Sequence, residues 1–184
     1  MTKTSIIMIA GTIALTACGG GIKNQAWNDN IKSDSQFYIR SVDTNIVTKC
    51  PDKEGYMTAT AISDQLKPAI RDAVCAQKKC TDKIDANTIV MDVHVNYARS
   101  FMGEPISCLS YQAVNISYTF TLERGGVVFY TRPASAQLAP SRGVFGNLGR
   151  IATQLSFTGD TDNEKADLEY IVPGLGKQIA KDLK

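Results

Sequence analysis

Two stretches of the chain alternate strictly between apolar and polar residues, and two others repeat their apolar residues at helical spacing. Before the first of these, FYIRSVDTNIV within residues 36–47 favours a strand, closed by the turn signal Cys50-Pro51-Asp52 and Gly55. From about Thr58 to Lys79, the residues Ala59, Ile62, Leu66, Ala69, Ile70, Ala73 and Val74 share one helical face, with Asp64, Lys67, Arg71 and Asp72 between them. Pro68 sits inside that pattern and is expected to kink the helix or split it. Strict alternation then places Ile89, Met91, Val93, Val95 and Tyr97 on one face, with Asp92, His94 and Asn96 on the other. It returns with Val114, Ile116, Tyr118, Phe120 and Leu122 opposite Asn115, Ser117, Thr119 and Thr121. Arg124-Gly125-Gly126 offers the positive φ angles of a tight hairpin, Val127 to Arg132 forms the returning strand, and Pro133 ends it. Within residues 139–163, Gly143, Gly146 and Gly149 punctuate a loop, and IATQLSF suggests one more short strand. Thr161 and Glu164 have the spacing of a capping box. Leu168, Ile171, Leu175, Ile179 and Leu183 then keep helical spacing, which Pro173-Gly174 should interrupt.

The element order is therefore β-α-β-β-β-α. It predicts an α+β, two-layer sandwich: a mainly antiparallel sheet of about four to five strands with two helices on one face. Ahead of it, Ile6 to Leu15 is an apolar run of about ten residues, preceded by Lys3. A membrane-crossing helix needs roughly 20, so the run has the length of a signal-peptide core. Leu15-Thr16-Ala17-Cys18 resembles the lipobox of bacterial lipoproteins. That resemblance implies cleavage before Cys18 and fatty acylation, palmitate included, of the new N-terminal cysteine. More than one acyl chain gives stable membrane anchoring. The expected organisation is a signal peptide at 1–17, a lipidated flexible tether at 18–35 and a single α+β domain at 36–184. Trp27, within the tether, either rests at the membrane interface or packs on the domain. Gly19 rather than Asp after the cysteine resembles lipoproteins passed to the outer membrane. The expected location is thus the outer rather than the inner membrane, with the domain facing the periplasm. The element order over 36–184 also resembles small Gram-negative envelope lipoproteins and the N-terminal domain of TolB-type periplasmic proteins, which implies a periplasmic interaction module.

Composition narrows the partners. Cleavage leaves 167 residues and lowers the formal net charge from +2 to +1, a balance without the basic stripe of a nucleic-acid binder. Besides Cys18 the chain has Cys50, Cys75, Cys80 and Cys108, an even number suited to the oxidising periplasm. Counting alone allows three pairings. A zinc site competes, but Cys75-x4-Cys80 lacks a second pair and His94 is the only histidine. Strand order adds the missing constraint. The first strand runs toward Cys50, the helix returns, and the next strand runs up toward Ser100, so Cys50 and Cys108 meet at one end. Cys75 and Cys80 lie at the far end of a helix up to roughly 33 Å long, beyond the ~7 Å reach of a disulfide from Cys50. The expected bridges are Cys50–Cys108 and Cys75–Cys80, the former contributing about 4 kcal/mol in the chain-entropy model.

Chemistry is sparse. Asp92 and His94 share a polar strand face, where an acid can orient a general base, yet a nucleophile is still needed, and no pattern nominates Ser117 or Ser110 for it. The glycines at 143, 146 and 149 lack a Gly-Lys-Ser/Thr ending. No catalytic residue, metal or cofactor is expected. Two loops are candidate partner contacts: Arg99 to Pro105, with Phe101, Met102 and Glu104, and the Gly-rich loop, with Val144, Phe145 and Leu148 rimmed by Arg142 and Arg150. The connector reading of the first loop buries Phe101 and Met102 in its own core. The expected function is a non-catalytic interaction or assembly module for another envelope protein, held by lipid on Cys18. The alternatives are a binder of a small molecule, lipid or glycan in a cavity, and an inhibitor or immunity-type lipoprotein directed at an envelope hydrolase. Peptide mass spectrometry without reduction should recover the two predicted bridges; a Cys50–Cys75 peptide would overturn the strand order.

Overall fold

The strand after the long helix returns in the same direction as the strand before it, and this parallel pair forms the middle of the sheet. The computed structural model describes residues 25–50, 54–135, 138 and 160–184. In order they form α1 (Gln25–Asn30), β1 (Gln36–Val47), α2 (Ala59–Cys75), β2 (Lys79–Cys80), β3 (Thr88–Phe101), β4 (Tyr111–Arg124), β5 (Val127–Arg132) and α3 (Asp160–Asp182). The five strands lie in the order β2-β1-β3-β4-β5 in an open sheet. β1 is parallel to β2 and β3, whereas β3, β4 and β5 are antiparallel neighbours. The result is the α+β, two-layer arrangement expected from the pattern, with a sheet that is mixed.

Alternation does what period 2 demands. Ile89, Met91, Val93, Val95 and Tyr97 on β3 join Val114, Ile116, Tyr118, Phe120 and Leu122 on β4 in one buried layer. Ile62, Leu66, Ile70 and Val74 of α2, with Leu168, Ile171, Leu175 and Ile179 of α3, cover it. Thr58 caps α2 by accepting a hydrogen bond from Ala61 N at 3.2 Å, satisfying one of the free amides of the first turn. Gly125 and Gly126 turn the β4–β5 hairpin at φ +58° and +82°, as its tight geometry requires.

Several expectations change. Neither internal proline breaks its helix, because each lies on the solvent side. Pro68 and Asp64, whose carbonyl would have bonded a residue-68 amide, are both exposed, as are Pro173 and Glu169. Water can take the freed acceptor. α2 stops at Cys75 rather than near Lys79, since Lys79 and Cys80 pair with Gln36 and Phe37 as β2. β3 runs through Phe101, so Arg99 to Phe101 belongs to a strand and not to a loop. Among the described residues α1 precedes β1, within the stretch expected as tether. Trp27 is only 4% exposed and sets its ring edge-on to Tyr130 at 4.6 Å, so the packing alternative holds for it. Glu164 does not serve a capping box; its carboxylate turns inward to Arg99. Both disulfides have the expected pairing, with Cα atoms 5.8 Å apart for Cys50–Cys108 and 5.3 Å for Cys75–Cys80. Residues 1–24 and 139–159, including Cys18, the Gly-rich loop and IATQLSF, lie outside the described residues.

The helices meet at Gly176, where a Cβ would come within 2.9 Å of the Ala69 carbonyl oxygen and 3.0 Å of Ala73 Cβ. Gly174 faces open space. Helix propensity favours alanine at both sites by about 0.5–1 kcal/mol. Gly174→Ala should therefore raise stability by about that amount. Gly176→Ala should lower it, with overpacking of about 1–3 kcal/mol outweighing the propensity gain. Urea denaturation of the two variants checks the contrast.

Candidate interaction surface at the bridged end of the sheet

The end of the sheet where β1 and β3 finish and β4 begins is assembled around polar side chains that the core has enclosed. Continuing the inward alternation past Tyr97 puts Arg99 on the core side, where a lone guanidinium would be costly. Glu164 on the first turns of α3 meets it: Arg99 Nε donates to Oε1 at 2.8 Å and Nη2 to the same oxygen at 2.5 Å. Tyr97 Oη donates to Oε1 at 3.2 Å, and the Met57 amide donates to Oε2 at 2.9 Å. Arg99 Nη2 also donates to the Met57 carbonyl at 2.9 Å, and its guanidinium lies over the Tyr56 ring, 5.1 Å from the centroid. Both charges are almost wholly enclosed. Burial, and then the adjoining Glu164 carboxylate, push the Tyr97 phenol well above its ordinary range, so it acts as a neutral donor. Beside this group, the buried Tyr111 Oη donates to Asp167 at 2.8 Å.

Above the polar group lies a small second core of Cys50, Phe101 and Tyr111, with Tyr56 and Cys108 against it. It carries the connection from β3 to β4. Met102 N donates to the Ser110 carbonyl at 2.8 Å and Leu109 N to the Met102 carbonyl at 2.9 Å, which extends the ladder beyond the strands. The Glu104 carboxylate folds back to accept from Phe101 N at 2.6 Å. Ile106 N and Ser107 N both donate to the Gly103 carbonyl, at 2.9 and 3.0 Å. Gly103 has φ +79°, and a Cβ there would collide with the Ser107 side chain. A loop tied this closely, and bridged to Cys50, leaves Ile106 95% exposed, with Leu109 and Val47 about half exposed beside it.

The expected contact residues thus separate. Phe101 is buried and is withdrawn as a contact residue, Glu104 bonds its own loop, and Met102 is half-buried; the connector reading holds for Phe101. Ile106 and Leu109, which the sequence reading passed over, are the exposed apolar groups. Arg142, Val144, Phe145, Leu148 and Arg150 lie outside the described residues. Asp92 turns to Arg40 rather than to His94: Arg40 Nε donates to it at 3.0 Å, and Ser41 Oγ donates at 2.9 Å. Arg40 also pairs with Glu123 at 2.9 Å. The Arg40 bond is the main reason the Asp92 carboxyl sits below its usual range. His94 is exposed, 3.8 Å from Asp43, and Ser110 is fully buried. Among the described residues no three His, Cys, Asp or Glu side chains converge as a metal site, and no helix is long and apolar enough to cross a membrane. Apolar clefts of about 150 and 230 Å³ adjoin α3 and share Leu138 and Gln178.

No family model matches the sequence, and no curated protein matches it. Among solved structures, the chain is similar to an uncharacterized protein with a TM-score of 0.40 and 11% identity, over 84% of this chain and 95% of that one. It is also similar to a minor lipoprotein from Acinetobacter baumannii, with a TM-score of 0.30 and 11% identity over 76% and 94% of the two chains. A PelC dodecamer from Paraburkholderia phytofirmans follows at 0.26 and 13%, over 66% and 84%. Likenesses at this level assign no role to any residue.

Removing one member of the buried ion pair should strand the other. Arg99→Met or Glu164→Leu alone should each cost about 3–5 kcal/mol. The double variant should recover much of that loss but stay about 1–3 kcal/mol short, because the Met57 amide and Tyr97 hydroxyl lose their acceptor. A double-mutant cycle by urea denaturation reads both quantities.

Proposed function

We propose that this chain is a lipid-anchored cell-envelope protein that acts, without catalysis, as an interaction or assembly module for another envelope protein. The observation that carries this reading is Ile106, an almost fully exposed aliphatic side chain on a loop held by its own hydrogen bonds and by the bridge to Cys50. A rigid apolar projection binds with little loss of loop entropy, which is how small contacts become specific. The Leu15-Thr16-Ala17-Cys18 segment supplies the anchor, with palmitate among the acyl groups expected on Cys18, and Gly19 favours the outer membrane, the domain facing the periplasm. The reading as a non-enzyme is supported by Asp92 accepting from Arg40 and Ser41 rather than from His94, and by the burial of Ser110.

The inhibitor or immunity-type reading uses the same loop, with a hydrolase as the partner. The cavity-binding reading has less support: each apolar cleft beside α3 is smaller than the ~300–1,000 Å³ usual for ligand pockets, and the recess of about 350 Å³ where β1 begins is lined by polar residues such as Lys32, Asp34, Asp85 and Arg124 rather than by the apolar walls such pockets have.

Cys18→Ala should abolish metabolic palmitate labelling and release the protein from the membrane fraction. Ile106→Asp should leave stability within about 0.5 kcal/mol, as exposed substitutions do. It should also remove a specific envelope protein from material captured out of gently solubilised membranes. Recovery of the same proteins with both side chains would refute the loop assignment, and capture of none would refute the module.

A further inference from the structure

The sheet exposes apolar groups at both ends, but the chain enters at only one. α1 lies where β1 begins, with Trp27 on Tyr130 of β5. Arg124 donates to Ser35 Oγ at 3.1 Å and to the Asn87 carbonyl at 3.0 Å, fastening the segment after α1 to the end of β4 and the turn before β3. At this entry end Val127 and Val128 stand exposed on the edge strand β5, and Ile84 stands exposed in the turn after β2. β2 and β5 are the two edges of the sheet, roughly 19 Å apart at ~4.8 Å per strand, and Ile84 lies in the connection that leads from β2 past β1 to β3. Exposed Lys32 and Lys83 share that end with exposed Asp34, Asp82 and Asp85, so its charges are mixed and the apolar side chains distinguish it. Six residues lie between Cys18 and Gln25, so the seven steps reach at most about 25 Å when fully extended. The Ile106 loop is at the opposite end, about 40 Å away along β3 from Ile89 to Phe101.

We propose that the entry end is a second lipid-contacting surface. Val127, Val128 and Ile84 rest in the headgroup layer of the membrane that carries the acylated Cys18. The contact stands the sheet upright, so that the Ile106 loop projects away from the lipid. This rests on the lipid-anchor reading above. The occupant is lipid because the short tether delivers this end, and not the other, to within about 25 Å of the bilayer. Trp27 cannot serve as the interfacial ring, since the core encloses it. The aliphatic edge residues take that place. Two separate contact points at one end, β5 and the connection from β2 to β3, fix the tilt of the sheet, which a tether alone leaves free.

The test uses the full acylated chain in vesicles of phosphatidylethanolamine and phosphatidylglycerol. An environment-sensitive fluorescent amino acid replaces Val128, Ile84 or Ile106 in turn, and brominated phospholipid is the quencher. Emission from positions 128 and 84 should shift to the blue and be quenched, while emission from position 106 stays unchanged. Val127→Asp with Val128→Asp should leave flotation with the vesicles intact and reduce quenching at position 84 several-fold. A chain that floats but is quenched at none of the three positions overturns this surface and leaves the lipid anchor standing. Equal quenching at 106 and 128 overturns the upright arrangement. A chain that does not float overturns both readings.

Discussion

The pairing of Arg99 with Glu164 is the contact on which the upper half of the molecule depends. β3 alternates without error from Met91 to Tyr97, and continuing the same register delivers a guanidinium into the core. Two buried charges repay their desolvation only with close geometry and further hydrogen bonds. Here Met57 and Tyr97 supply the hydrogen bonds, and the Tyr56 ring faces the guanidinium. The pair thereby fixes three things at once: the start of α3, the approach of the chain to α2, and the height at which β3 leaves the sheet. A purely apolar contact would tolerate sliding between these elements. A guanidinium and a carboxylate with directed partners do not.

That fixed end explains how a short connection between strands can carry an exposed isoleucine without collapsing onto it. Phe101, Tyr111, Tyr56 and the Cys50–Cys108 bridge fill the space beneath. The Glu104 carboxylate and the Gly103 carbonyl absorb the loop amides. Ile106 has no inward position left to occupy.

Most of the fold was legible in the sequence, because alternation and helical spacing report burial directly. β3, β4, the hairpin and the two long helices follow from it, and the bridge pairing follows from strand direction. The failures share one cause. Local rules read Arg99 as the beginning of a loop, Glu164 as a cap and Phe101 as a contact. Each of those roles is set by a partner more than 40 residues away: Glu164 for Arg99, Arg99 for Glu164, and Cys50 with Tyr56 for Phe101. The prolines misled in the opposite direction, since a helix breaks only where the lost hydrogen bond cannot be replaced by water. The candidate surface was legible only to the level of the segment: the loop was found, but its exposed residues, Ile106 and Leu109, were not.

The bridges are nested, with Cys75–Cys80 enclosed inside the span from Cys50 to Cys108. On the proposed export, with lipid on Cys18, a chain translocated N-terminus first presents Cys50 to an oxidant while its partner is still 58 residues behind. The next thiol to appear is Cys75, a wrong partner, and Cys80 follows five residues later. Oxidation in order of emergence joins consecutive cysteines and leaves Cys80 and Cys108 to each other. Arrival at the folded state then runs through thiolate attack on a mispaired bond. On that route, the topology that stiffens the tip makes maturation depend on disulfide reshuffling in the compartment that receives the chain.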